Sequence, residues 1–199
     1  ALDVNARMQD RASGRKLWAD CVKMGIEARK SILRNCSMLK PFIPPTVKGK
    51  PWEDYSTEEI ADDISFFKFV PGEKWHSFEG YGEEQYFVDP NKLMLTTPGI
   101  NVETGEYEDF GIPATILASF LRDNRIIPEK NDFNSILFLM TPAETKPKLD
   151  SLVAQLMRFE QLVQQNAPVG QVMPYLYWDN EERYRGVGIR DLCQEMHDF

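Results

Sequence analysis

The sequence predicts an α+β domain in which helices pack on one face of a largely antiparallel sheet. Two long, one-sided helical patterns flank several short β-rich runs, and Pro or Gly residues bound these runs. Apolar residues make up 42% of the chain and charged residues 27%, which is ordinary for a soluble globular protein and argues against global disorder.

The first element is a long helix, predicted over residues 14–35. Its apolar stripe consists of Leu17, Cys21, Ile32 and Cys36, with Val22, Gly25 and Ala28 between them. Four prolines and one glycine in "KPFIPPTVKGKPW" then end the helix and mark a boundary. We expect this helix to cover a separate domain, so that the stripe with Leu17, Cys21 and Ile32 is partly exposed in this chain or buried in a self-association contact.

The middle of the chain predicts two strands and a helix. "DISFFKFV" and "KLMLTT" are β-rich and are joined by an aromatic-rich connection over residues 71–90. Gly111 and Pro113 frame the start of the next helix. Its predicted buried face comprises Ile112, Ile116, Leu117, Phe120 and Leu121.

Two further strands, "RIIPEK" and "SILFLMT", precede a second long helix. We place its start near Thr145, because a start at Thr141 would put Pro147 inside the helix. Its apolar stripe comprises Leu149, Leu152, Val153, Leu156, Phe159 and Val163. A short amphipathic piece with Ile189, Leu192, Cys193 and Met196 closes the chain.

The charge balance and the cysteines limit the classes of partner and compartment. Acidic residues outnumber basic ones by 31 to 23 and the basic residues are scattered, which argues against a nucleic-acid surface. The sequence contains neither an apolar run of about 18 residues nor a basic-then-apolar leader, so we expect no membrane span and no signal peptide. Three cysteines without C-x-x-C spacing indicate a reducing, cytoplasmic compartment.

Short motifs for catalysis or metal binding are absent from the sequence. The two histidines, His76 and His197, lack ligand-spaced partners, so no metal site is expected. Cys193 and His197 lie four residues apart and could face one metal, but a buried thiol beside a surface imidazole is the favoured interpretation. Trp75 and His76 are expected to be packing residues. No phosphate-cradling loop and no G-x-S-x-G motif occurs.

Glu129 is the best single candidate for a binding residue. It lies between two apolar extended runs, behind Pro128 and in front of Lys130. On these residues alone, a structural or solvated glutamate at a strand end is favoured over a functional one. Taken one by one, the residues therefore indicate only a soluble α+β domain.

Longer segments carry a more specific signal. They are "ALDVNA", "GIEARKSIL", "PFIPPTVKGKPWEDY", "KWHSFEGY", "QYFVDPNKL", "LTTPGINVETGEYEDFGIPATILA", "PEKNDFNSILFLMTPAE" and "LCQEMHD". In these segments, which span nearly the whole chain, the sequence resembles the pyridoxal-phosphate-dependent bacterial ornithine, lysine and arginine decarboxylases, and within them the ornithine branch.

The resemblance implies an aspartate-aminotransferase-like (fold type I) small domain over residues 46–165. Residues 1–45 would be the end of the large pyridoxal-phosphate domain with its linking helix, and residues 166–199 the start of a C-terminal domain. The family's cofactor lysine follows a histidine in a Ser-x-His-Lys pattern, and no His-Lys pair occurs here. We therefore expect a fragment that carries no catalytic or cofactor-binding residue and does not itself bind pyridoxal phosphate.

The resemblance also gives Glu129 a role, which is to receive the distal ammonium group of the substrate. The parent enzyme would convert L-ornithine to putrescine and CO2 as a homodimer or higher homo-oligomer, with its large domain as the partner of this chain. Two alternatives stay open: a lysine decarboxylase, or a non-catalytic binding or assembly module that pairs with full-length subunits.

Overall fold

The computed structural model of the chain describes residues 2–199. The strands are β1 (Lys40–Pro41), β2 (Thr46–Val47), β3 (Lys50–Pro51), β4 (Lys92–Thr96), β5 (Lys130–Asn131) and β6 (Ser135–Leu139). The α-helices are α1 (Leu2–Gln9), α2 (Arg11–Asn35), α3 (Thr57–Asp62), α4 (Ala114–Asp123), α5 (Lys146–Gln164), α6 (Val169–Val172), α7 (Pro174–Asp179), α8 (Glu181–Tyr184) and α9 (Ile189–His197). This architecture confirms the predicted α+β class.

A four-stranded antiparallel sheet in the order β1-β4-β6-β5 organises the main core, while β2 and β3 form a separate pair. Leu93 lies opposite Phe138 and Leu95 opposite Ile136 across β4 and β6. Directly opposed residues share a face of the sheet, and all four of these side chains are buried. The predicted strand at "KLMLTT" and the one at "SILFLMT" are thus confirmed.

Helix α2 confirms the long N-terminal helix but corrects its expected exposure. Cys21 and Ile32 are fully buried within this chain, and only Leu17 is partly exposed. The expected exposure is therefore wrong for Cys21 and Ile32, because both side chains belong to the main apolar cluster of this chain and β1 and α5 pack against α2. Only the first three turns of the helix remain largely open to solvent.

The predicted strand at "DISFFKFV" is wrong, because residues Ile64–Phe67 form a 3-10 helix. The Asp63 carboxylate caps it by accepting the backbone N–H of Ser65 at 2.8 Å. Phe66 and Phe67 are both buried in a second apolar cluster around Trp52. Adjacent residues of a strand point to opposite faces, so a strand could not bury both rings in one small cluster.

The predicted strand at "RIIPEK" is mostly wrong, since only Lys130–Asn131 pairs with β6. Arg125 adopts a left-handed conformation with φ of 63° directly after α4. The N–H of Ile126 then donates to the carbonyl of Leu121 at 2.8 Å, which closes the helix end. The first residues of this segment therefore terminate α4 and do not form a strand.

The predictions for the other long helices are confirmed. Helix α4 buries Ile116, Leu117, Phe120 and Leu121, and α5 begins directly after Thr145 with Pro147 in its first turn. Val169 of α6 and Ile189, Leu192 and Cys193 of α9 belong to the same apolar cluster as the sheet and α5.

Candidate functional site

Glu129 lies immediately before β5, where the chain enters the edge of the sheet. Its backbone N–H donates to the carbonyl of Leu137 at 2.8 Å, and the preceding Pro128 is buried. The side chain itself is exposed. The sheet therefore fixes the backbone of Glu129 while its carboxylate faces outward.

Within residues 2–199, no Lys or Arg forms an ion pair with the Glu129 carboxylate, and no side-chain hydrogen bond engages it. A cleft of about 650 Å³ lies next to this segment. It is lined in part by Ile127, which is 82% exposed, and by Leu139 and Met140 of the β6 end. Glu129 itself is not part of the lining, which also carries the bases Arg125 and Lys148. The unpaired carboxylate, rather than the cleft, is therefore the feature that suits a cationic group.

Trp75 and His76 are buried, which confirms them as packing residues. The Nδ1 atom of His76 accepts the N–H of Phe78 at 3.3 Å, so the ring proton lies on Nε2. Nε2 lies 3.1 Å from the Tyr81 hydroxyl and donates to its oxygen. This network was not predicted, although the aromatic density of "WHSFEGYGEEQYF" was a visible signal.

Cys193 is buried as expected, but the expectation of a surface imidazole at His197 is wrong. The His197 Nε2 donates to the carbonyl of Glu108 at 2.6 Å, and its ring stacks on Phe133. That hydrogen bond holds α9 on the loop before α4. In the part of the chain that the structure describes, no three His, Cys, Asp or Glu side chains gather as a metal-binding group.

All three cysteines are free and buried. Burial raises the pKa of the Cys36 and Cys193 thiols to about 12, with the Glu160 carboxylate adding to the effect at Cys36. Such thiols are poor nucleophiles, so none of them is a catalytic candidate. Across residues 2–199, no helix has both the length and the apolar character needed to cross a bilayer.

Comparison with known families defines the class of protein. The sequence model of the family described as "Orn/Lys/Arg decarboxylase, major domain" matches residues 1–148. The chain therefore belongs to the ornithine/lysine/arginine decarboxylase family, as the resemblance predicted.

Within this family, the chain is highly similar in sequence to ornithine decarboxylases. The chain is 61% identical over 198 residues to the ornithine decarboxylase of Haemophilus influenzae, with 100% of this chain and 28% of the relative covered. It is also 61% identical over 199 residues to the inducible ornithine decarboxylase of Escherichia coli, covering 100% of this chain and 27% of that protein. The chain thus spans just over a quarter of the length of these relatives.

The fold matches a solved structure of the same family. The Escherichia coli constitutive lysine decarboxylase superposes with a TM-score of 0.80 over 96% of this chain and 26% of that chain, at 28% identity. In sequence, the inducible lysine decarboxylase of Escherichia coli is 36% identical to this chain over 192 residues, covering 96% of this chain and 26% of that protein.

Proposed function

We propose that this chain forms part of a decarboxylase that converts L-ornithine to putrescine and CO2. The supporting observation is the 61% identity to ornithine decarboxylases over the whole chain, against 36% over 192 residues to the inducible lysine decarboxylase of Escherichia coli. A lysine decarboxylase is the alternative that the shared fold leaves open.

Glu129 is the residue proposed to bind the substrate side chain. An alkylammonium group carries three N–H donors and no acceptor, so an unpaired carboxylate is its natural partner. The charge-assisted hydrogen bond contributes about 1.5–3 kcal/mol, enough to disfavour a substrate that lacks the distal amine. Because the backbone of Glu129 is bonded to β6, the carboxylate is held on a rigid element, as selectivity requires.

Pyridoxal phosphate is the cofactor proposed for the parent enzyme, and it supplies the electron sink for decarboxylation when bound. The residues of this chain do not fit a complete site for it. Lys148 lines the cleft described above, and Lys16 lines a second cleft between α1 and α2. Both lysines are exposed, and they are ion-paired with Glu144 and Asp20, respectively. The buried Lys30 is occupied by hydrogen bonds to the Tyr55 carbonyl and the Thr57 hydroxyl.

The proposed organisation follows the family resemblance. Residues 46–165 form an aspartate-aminotransferase-like, fold type I small domain, residues 1–45 join it to the large domain, and residues 166–199 open a C-terminal domain. The parent enzyme is proposed to be cytoplasmic and homo-oligomeric.

A chimaera tests this function. Replacing the matching 198 residues of the Haemophilus influenzae relative with this chain should give an enzyme that releases CO2 from L-ornithine and discriminates against L-lysine. A preference for L-lysine would establish the alternative substrate. A folded, assembled chimaera without activity would instead support the non-catalytic assembly module.

A further inference from the structure

A separate cleft, of about 340 Å³, is formed by the aromatic-rich connection together with Phe69 and does not include Glu129. Its volume falls in the range of roughly 300–1,000 Å³ that is typical of ligand pockets. Five aromatic rings and one carboxylate line it: Phe69, Phe78, Tyr81, Tyr86, Phe87 and Glu79.

Buried neighbours hold these rings in place. Phe69 stacks on the buried Trp75 with ring centroids 4.9 Å apart and an interplanar angle of 15°. The Tyr81 hydroxyl is held by His76 at 3.1 Å, and the Tyr81 ring packs edge-on against Tyr86 at 5.7 Å. A lining anchored in this way is preorganised, so a ligand need not order it.

Several of these rings are more exposed than packing alone would leave them. Phe78 is 56% exposed, and Tyr86 and Phe87 are each 54% exposed. A contiguous group of exposed aromatic side chains marks a binding surface rather than ordinary protein exterior.

The charge around the cleft favours a cation. Residues 71–90 contain Glu73, Glu79, Glu83, Glu84 and Asp89 against the single base Lys74. Lys68, just outside this range, is engaged with Glu84 at 2.7 Å. Within the described residues, Glu79 takes part in no ion pair, so its charge is available at the rim of the cleft.

We propose that this cleft binds a small organic cation of the alkylammonium or quaternary ammonium class. The ring faces would attract the positive charge through cation–π interactions, and Glu79 would add a direct electrostatic contact. An anion would be repelled by Glu79, and a neutral apolar ligand would desolvate that carboxylate without compensation. This inference does not depend on the proposed decarboxylase function.

The test uses the 199-residue chain and two probes of nearly equal shape: choline, and its uncharged counterpart 3,3-dimethylbutan-1-ol. Binding is followed by NMR titration of the aromatic ring signals. Choline should shift the signals of Phe78, Tyr86 and Phe87, and should bind at least about fivefold more tightly than the alcohol. Equal binding of both probes, or no response to choline at millimolar concentrations, would overturn the proposal.

Variants locate the site. Phe87→Leu keeps an apolar side chain but removes a ring face, and Glu79→Gln removes the charge, so each should weaken choline binding at least about threefold. The matched controls are Phe133→Leu, at a partly exposed ring elsewhere, and Glu83→Gln, at a nearby acid outside the lining. Controls that lose as much affinity as the site variants, with all proteins folded by circular dichroism, would refute the assignment.

Discussion

Glu160 Oε1 accepts the backbone N–H of Leu39 at 2.7 Å, which joins helix α5 to the turn through which the chain leaves α2. The same oxygen accepts the N–H of Met38 at 2.8 Å, and Oε2 accepts the N–H and the hydroxyl of Ser37. One buried carboxylate thus accepts the three backbone N–H groups of residues 37–39, which lie far from Glu160 in the sequence. These groups follow the end of α2 and therefore have no acceptor within the helix.

Replacing this carboxylate should destabilise the chain. Glu160→Gln presents an amide N–H₂ to backbone donors and leaves at least one of them buried without an acceptor, so we expect a loss of about 2–4 kcal/mol. This loss is measured as the difference in the free energy of unfolding in urea between the variant and the wild type. Asp150→Asn, on the same helix but in an exposed pair with Lys146, is the control and should change stability little. Equal effects of the two variants would contradict the assigned role.

Glu129→Gln tests substrate binding in the chimaeric enzyme. The variant keeps the size of the side chain and one acceptor oxygen but loses the charge. We expect kcat/KM for ornithine to fall about 10- to 100-fold, corresponding to about 1.5–3 kcal/mol. Glu106→Gln, at another exposed glutamate, is the control. A Glu129→Gln change within about 0.5 kcal/mol would return this residue to an ordinary surface position.

Gly111→Ala should loosen the contact between α9 and the loop before α4. A Cβ at this position would lie 2.2 Å from the His197 Nδ1, which cannot be accommodated without moving the ring from its bond to the Glu108 carbonyl. We expect a destabilisation of about 1–3 kcal/mol in thermal or urea unfolding. Gly82→Ala has nothing within 4 Å and should be nearly neutral. A Gly111→Ala protein as stable as the wild type would show that the loop before α4 moves to accommodate the Cβ without loss of stability.

Asp63 should give a small acid-dependent contribution to stability. The hydrogen bond from Lys48, followed by those from Ser65, lowers the pKa of this carboxyl from 3.8 to about 2. Because the folded value is depressed, the stabilisation is present above pH 3.8 and is lost as the pH falls towards 2. Asp63→Asn should therefore be less stable than wild type at pH 5, with the difference shrinking on acidification. An NMR titration in which the Asp63 carboxyl has a pKa near 3.8 would contradict this prediction.

The thiols should be inert in the folded chain. Burial raises the pKa of Cys21, Cys36 and Cys193, so almost no thiolate is present at pH 8. A disulfide-exchange reagent such as DTNB should react slowly with the native protein and rapidly with all three thiols in urea. A rapid stoichiometric reaction of one native thiol would reveal an accessible site.

Much of the fold could be predicted from local patterns. Helices α2, α4 and α5 and strands β4 and β6 follow from apolar spacing and from the positions of Pro147 and the other breakers. The spacing of apolar residues gave a wrong prediction in two segments. Phe66 and Phe67 pack into the same cluster from a 3-10 helix, and Arg125 lies in the turn that ends α4 instead of starting a strand. The proposed role of Glu129 came from the family resemblance, because no short pattern distinguishes it from a solvated glutamate.

The sequence by itself determined the α+β class, the main elements and the family. Only the tertiary structure decided which charged residues are buried and what satisfies them. Arg29 is an example: its guanidinium donates to the carbonyls of Pro90 and Lys92, and burial lowers its pKa to about 10. The physical reason is that helix and strand patterns depend on neighbours within a few residues. Pro90 and Lys92 lie dozens of positions from Arg29, as do the partners of Glu160 and His197, and the fold alone brings them within hydrogen-bonding distance.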